Sequence, residues 1–291
     1  MRKSLFSLAS AAALLVALTL GFSALASAAG ELDAIKAAGK IRIAVFSDKP
    51  PFGFVNEDGA NEGYDVYLAR QLAQDLLGSP DKVEFVLVEA ASRMEVLQAD
   101  KADVVLANFT VTAERAKEVD FAHPYMKVAL GVSSPESAPI TSVAQLAGKT
   151  LIVNKGTTAD SYFTENHPEV TLLKFDQNTE GFNALRDGRG VGLAHDNTLL
   201  FAWVRENPGF VTGIDFLGSL DTIAPAVKKG NGDLLAWLNE EILRLTGEGF
   251  FEKDYQETLA PSYGDSVDPK TVLLTVAELK ALAAGEPLPA N

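Results

Sequence analysis

The feature that most restricts this chain is an alternation of strand-like and helix-like segments that runs once, stops, and starts again. KIRIAVF (40–46), KVEFVLVE (82–89) and ADVVLANF (102–109) are apolar runs of strand character. Between the first two, Leu68, Ala69, Leu72, Ala73, Leu76 and Leu77 recur at helical spacing, with Asp65 placed to cap the helix start. Between the second and third, Ser92-Arg93-Met94-Glu95 has the spacing of a capping box. This β-α-β-α-β order predicts an α/β fold with a mostly parallel sheet flanked by helices. After Met126 the pattern begins again. Ser142-Val143-Ala144-Gln145 is a second capping box, and KTLIVNKG (149–156), TLLKF (171–175) and VGLAHD (191–196) are strand-like. Helices are predicted from about Thr158, up to Gly188, and from Asn197 to about Glu206. TIAPAVKKG (222–230) reads as a strand, followed by a long helix with Leu234, Leu235, Leu238, Ile242, Leu243 and Leu245 on its core face. A length of 291 residues fits one large domain or two lobes of ordinary size.

The first 28 residues do not belong to that pattern. Arg2 and Lys3 precede the apolar run AAALLVALTLGF, and SALASA follows. A basic start, a short apolar core and small residues are the marks of a secretory signal, with cleavage expected after Ala28, or alternatively after Ala26. An uncleaved anchor is the competing reading; the apolar core is shorter than the roughly 20 residues that span a bilayer. There are no cysteines, hence neither a disulfide framework nor a site for a lipid anchor. Removing Arg2 and Lys3 takes the formal charge from −14 to −16, which argues against nucleic acid or anionic lipid as partners.

Several short matches carry no chemistry. Ala147-Gly148-Lys149-Thr150 resembles the end of a phosphate-binding loop, but Val143 stands where that loop needs glycine. The three histidines, His123, His167 and His195, lack metal-ligand spacing, and no cofactor is expected. No Gly-x-Ser-x-Gly elbow is present.

NFTVTAERAKEVDFAHPYM (108–126) is different. Thr110 and Thr112 lie between a strand end and a helix start, where open α/β sheets bind ligands. With Thr112 as N-cap, Arg115 falls in the first helical turn, able to grip a carboxylate through two parallel hydrogen bonds. On spacing alone, an ordinary ion pair with Glu118 or Asp120 is an equal alternative.

The segments IAVFSDKPPFGFVNEDG, NEGYDVYLARQLA, ADVVLANFTVTAERAKEVDFAHPYM, LAGKTLIVNKGTTAD and LAHDNTLL, in this order, resemble the periplasmic polar-amino-acid-binding proteins of ABC importers. The likeness covers nearly all of residues 38–265, and KGTTAD, KFDQNTE, DGRG and LAHDNTLLFAW bring it nearest to cysteine-importing members. The resemblance implies a type II periplasmic-binding-protein-like fold, with two mostly parallel-sheet lobes joined by two crossing strands. Lobe one would be discontinuous, 30–126 and 222–291, and lobe two 131–219, with hinges at 127–130 and 220–221. It further implies that Arg115 binds the ligand α-carboxylate, assisted by Thr110 and the turn Gly156-Thr157-Thr158, and that Asp196 accepts from the α-ammonium. Without the resemblance, Asp196 reads as the N-cap of the helix that follows it. Phe46, Phe52, Arg93, Asn108 and Phe109 are the expected side-chain pocket. Phe46 replaces a carboxylate that relatives use for cationic ligands, which argues against lysine, arginine or histidine. Arg93 stands where glutamate and aspartate binders hold the side-chain carboxylate.

The expected protein is therefore not an enzyme. It is a monomeric, unanchored protein of a Gram-negative-type periplasm that hands an amino acid to a membrane permease. Cysteine is favoured as ligand, with glutamate or aspartate next. An exported prephenate or arogenate dehydratase on the same fold, using His123 or Asp196 as acid, and an amino-acid sensor are the rival readings.

Overall fold

The computed structural model describes residues 30–288. The expected signal segment, 1–28, lies outside the described residues. Two five-stranded sheets carry the architecture, each flanked by helices. The first has the order β5-β1-β6-β13-β7, formed by β1 (Ile41–Phe46), β5 (Val83–Val88), β6 (Val104–Val105), β7 (Val119–Phe121) and β13 (Ala226–Lys228). β1 is parallel to both β5 and β6, while β13 runs antiparallel between β6 and β7. The second has the order β10-β9-β11-β8-β12, formed by β8 (Met126–Pro135), β9 (Thr150–Asn154), β10 (Thr171–Phe175), β11 (Gly192–Asp196) and β12 (Phe210–Ile223). β9, β10 and β11 are mutually parallel, and β8 runs antiparallel between β11 and β12. In each sheet one strand opposes four that share a direction.

The helices form where apolar side chains recur on one face. In α1 (Glu31–Ala38) only Ile35 is buried, but α2 (Tyr64–Leu77) buries Val66, Leu68, Ala69, Leu72 and Ala73. Each fully buried Leu or Ile contributes about 1.5–3 kcal/mol. The start of α2 differs from the sequence reading. Gly63, at φ +115°, holds the N-cap position, because a Cβ there would lie 2.4 Å from the Phe52 carbonyl oxygen. Asp65 is thus inside the helix and caps nothing; its side chain turns into the protein. The ADVVLANF run also forms less ladder than its apolar character suggests. Only Val104–Val105 pair, and Asn108, at φ +45°, turns the chain out of the sheet.

The two halves are joined by neighbouring segments. β8 begins and β12 ends side by side, with Met126 opposite Ile223 and Lys127 opposite Thr222. Ile223 also bridges to Thr110, at the end of the first sheet. The C-terminal helix α11 (Val276–Ala283) carries a Thr275/Glu278 capping box. Glu278 also accepts from Lys127 Nζ at 2.9 Å, tying this helix to the joining strand. Among the described residues, no helix is long and apolar enough to cross a membrane.

Candidate functional site

The carboxyl ends of β1, β6, β9 and β11 meet in the seam between the sheets, and most of the singled-out residues lie there. Arg115 opens the short α4 (Arg115–Glu118), and its backbone N–H donates to Thr112 Oγ1 at 3.2 Å, so Thr112 caps this turn. The Arg115 side chain does not pair with Glu118 or Asp120. Its Nη1 donates to Thr110 O at 2.8 Å and its Nη2 to Gly156 O, across the seam, at 2.9 Å. Among the described residues, three of its five guanidinium N–H groups remain open. Burial lowers its pKa to about 10, so it is cationic at neutral pH.

Arg93 lies at the start of α3 (Arg93–Gln98) and is buried. Its Nε donates to Ala90 O, Nη1 to Ala107 O and Asn108 O, and Nη2 to Gly156 O, at 2.9–3.1 Å. Four of its five donors thus serve the backbone. Both guanidinium groups lie over the Phe109 ring, 4.4 Å (Arg93) and 4.8 Å (Arg115) from its centroid. Burial and the neighbouring Arg115 charge push the Arg93 pKa well down.

Asp196 ends β11 and occupies the N-cap position of α7 (Asn197–Glu206), yet its carboxylate caps nothing. It accepts instead from Lys49 Nζ at 2.7 Å, and the same ammonium donates to Asn108 Oδ1 at 2.7 Å. Lys49 lies on β2 (Asp48–Lys49), which pairs with β3 (Gly53–Val55) and β4 (Asn61–Glu62) in a small third sheet. It is 1% exposed and sits over the rings of Phe46 and Phe52, at 5.3 and 5.6 Å. Burial lowers its pKa and Asp196 opposes that shift. Burial alone would raise the Asp196 pKa; the Lys49 charge and hydrogen bond, together with the neighbouring His195, outweigh it and hold the carboxyl far below its usual range.

Sequence reasoning missed Lys49, and it missed Asp65. The Asp65 carboxylate accepts from Tyr125 Oη at 2.7 Å and from the Asn108 N–H at 2.8 Å, and burial raises its pKa to about 7. His195 Nδ1 accepts from the Asp196 N–H at 2.7 Å, so Nε2 carries the proton toward Asn178 Oδ1 at 3.1 Å. The ring is neutral, because burial and Lys49 depress its pKa.

The turn after β9 crosses the seam. Gly156 sits at φ +73°, and a Cβ on it would lie 2.6 Å from Ala91 Cα. Thr157 caps α5 (Thr158–Asn166), accepting from the Asp160 N–H, and its own hydroxyl donates to Asn154 O at 2.7 Å. Thr158, half-buried, is the first residue of that helix. Asp48 adds a further contact across the seam, accepting from Asn178 Nδ2 at 2.9 Å and the Thr179 N–H at 3.2 Å. His123 lies apart from these bonds, half-buried, with its backbone N–H on Asn239 Oδ1.

Two sheets facing each other by their strand ends, with an arginine and an aspartate buried between them, suit a small ligand bearing both charges. Comparison with known proteins agrees. Residues 41–259 match the family described as bacterial extracellular solute-binding proteins, family 3. The chain belongs to this family. As a solute-binding protein it is similar to the crystal structure of a solute receptor for L-cysteine from Neisseria gonorrhoeae. That relative is 61% identical, with a TM-score of 0.82, over 84% of this chain and 99% of the other. The cysteine-binding protein of Campylobacter jejuni is 55% identical, with a TM-score of 0.84, over 85% and 100% of the two chains. The glutamine-binding protein of an ABC transporter of Bacillus subtilis (strain 168) is 33% identical over 78% of this chain and 83% of its own length.

Proposed function

We propose that this solute-binding protein captures a free L-amino acid in the periplasm, cysteine ahead of glutamate and aspartate, and delivers it to an ABC permease. The supporting observation is the pairing of unlike charges from opposite sides of one seam. Arg115 keeps three donors open for a carboxylate, and Asp196 lies near enough to favour its charge. Asp196 in turn is the acceptor for an α-ammonium. We divide the chain into lobe one at 30–126 with 222–291 and lobe two at 131–219, with residues 127–130 and 220–221 as hinges; the two separate sheets support this, and the hinge segments are the neighbouring ends of β8 and β12. Capture then works by closure. The ligand touches both lobes and stabilises the closed arrangement by its differential affinity, the mode established for periplasmic binding proteins. The contacts of Gly156 O with Arg93 and Arg115 belong to that closed arrangement. Cysteine leads because the L-cysteine receptor and the cysteine-binding protein share more than half of their aligned residues with this chain.

A thermal-shift panel of the twenty amino acids tests the reading. A ligand at a hundredfold its Kd adds about 2.7 kcal/mol of stability. Cysteine should raise the midpoint most; a panel with no response overturns amino-acid capture, and a response to another amino acid alone overturns the ranking.

A further inference from the structure

The seam holds more buried positive charge than a zwitterion balances. Lys49, Arg93 and Arg115 are 1%, 3% and 9% exposed. Facing them are Asp196 from β11 and Asp65 from α2, 4% and 0% exposed. The neutral His195, the half-buried Asp221 of β12 and Tyr125 on Asp65 are further titratable groups around them, with the buried Tyr64 and Asp254 beyond Asp65 and the buried Tyr263 beyond Asp196; burial raises the pKa of each of these last three, which keeps them uncharged. Asp65 carries only part of a charge near neutral pH. An amino acid with an uncharged side chain adds one charge of each sign and leaves the excess in place.

The three cations are not equally available for a second negative group. Arg115 faces the α-carboxylate under the proposed function, and Arg93 has four donors on backbone carbonyls. Lys49 uses two of its three ammonium N–H groups, on Asp196 and Asn108. Its surroundings are the faces of Phe46 and Phe52, which suit a polarisable sulfur better than a hydrated carboxylate. We propose that the protein takes its ligand as a net anion, so that cysteine is bound as the thiolate, with Lys49 the specificity-determining cation that holds the charged sulfur. This rests on the amino-acid reading above. The thiol proton leaves to solvent as the ligand enters, and nearby cations are what lower a thiol's pKa.

The test uses the intact mature protein, cysteine kept reduced by a phosphine, and S-methylcysteine and serine for comparison. Calorimetry in two buffers of different ionisation heat should show close to one proton released per cysteine at neutral pH, and none for the other two ligands. A difference spectrum should show the thiolate ultraviolet band, to which a protein without cysteine contributes nothing. Apparent affinity should tighten roughly tenfold per pH unit between about pH 6 and 8 and level near the free thiol pKa of about 8.5. In Lys49→Gln the band should vanish; a variant that keeps it overturns the part given to Lys49. Cysteine binding without the band, or equal proton release with S-methylcysteine, overturns the thiolate and leaves amino-acid capture intact. Failure of wild-type protein to bind cysteine at all overturns both the cysteine assignment and this inference.

Discussion

Lys49 reaches across the seam to Asp196, Nζ to Oδ2 at 2.7 Å, and neither side chain is more than 5% exposed. A pair so buried is a weak source of net stability, but removing one partner leaves an uncompensated charge, at about 3–5 kcal/mol. Under the proposed closure mechanism the chain has an escape, because opening the seam would hydrate Asp196 again. Lys49→Met is therefore expected to lower the population of the closed form and leave each half folded. Small-angle scattering should show a larger radius of gyration than wild type under ligand-saturated conditions, with secondary structure unchanged by circular dichroism. Global unfolding without an expanded folded form would remove Lys49 from closure.

The two seam arginines should fail in different ways. Arg115→Ala removes the open donors and only two bonds to backbone carbonyls, at Thr110 and at Gly156, the second of which Arg93 also serves. The unliganded midpoint is expected to stay near wild type, while ligand affinity falls by about a hundredfold or more, since a bidentate charged contact contributes roughly 3 kcal/mol. Arg93→Ala strips hydrogen bonds from the carbonyls of Ala90, Ala107, Asn108 and Gly156. Urea unfolding of the unliganded Arg93→Ala protein should show a loss of about 2–4 kcal/mol. Lysine should not restore it, having no planar fork to serve four acceptors. Unchanged stability with an altered ligand preference would instead make Arg93 a ligand contact first.

Asp65 gives a pH dependence with a definite sign. Its folded pKa of about 7 lies above the unfolded value of about 3.9, so the folded state holds the extra proton in between. Its contribution falls as pH rises from about 4 to 7, by up to about 1.4 kcal/mol per unit, and is level above that. Asp196 acts oppositely: its pKa is depressed, so its contribution is present above about pH 4 and lost as pH falls through the folded value. Urea denaturation of wild type and Asp65→Asn at several pH values separates the two. The difference between the proteins should slope over the window from about pH 4 to 7; a constant difference would leave Asp65 ionised throughout.

The parts of this molecule written in local patterns were readable from sequence, and the parts written in distant contacts were not. α7 was predicted from Asn197 to about Glu206, where it lies, because its apolar face and flanking Asp196 are consecutive signals. The cap ahead of Arg115 is legible in its neighbours, since Thr112 is three residues away, but that spacing leaves an ion pair with Glu118 or Asp120 equally open. Lys49 was missed, because Asp-Lys before two prolines looks like a solvated turn, and its partner lies 147 residues downstream. Asp65 was mistaken for a cap because it stands one turn before the apolar stripe. What excludes it is the approach of Gly63 to the Phe52 carbonyl, a contact with no local signature. Most of β12 was missed because register shifts between Thr212 and Asp221 break its alternation into pieces too short to read as a strand.

Gly156 is the place where backbone geometry and the proposed closure meet. Its φ of +73° is left-handed, and the space a Cβ would fill is taken by the Ala91 backbone on the other side of the seam. Alanine there carries two separate penalties. The strained φ costs about 1–2 kcal/mol wherever the turn keeps its shape, with the lobes open or closed. The clash with Ala91 exists only when they are closed, and it displaces the Gly156 carbonyl from Arg93 and Arg115. Gly156→Ala is therefore expected to lower the unliganded midpoint slightly and ligand affinity far more. Measuring both on one preparation separates the penalties. A fall in affinity no larger than the fall in unliganded stability would mean that the lobes close without bringing Gly156 against Ala91.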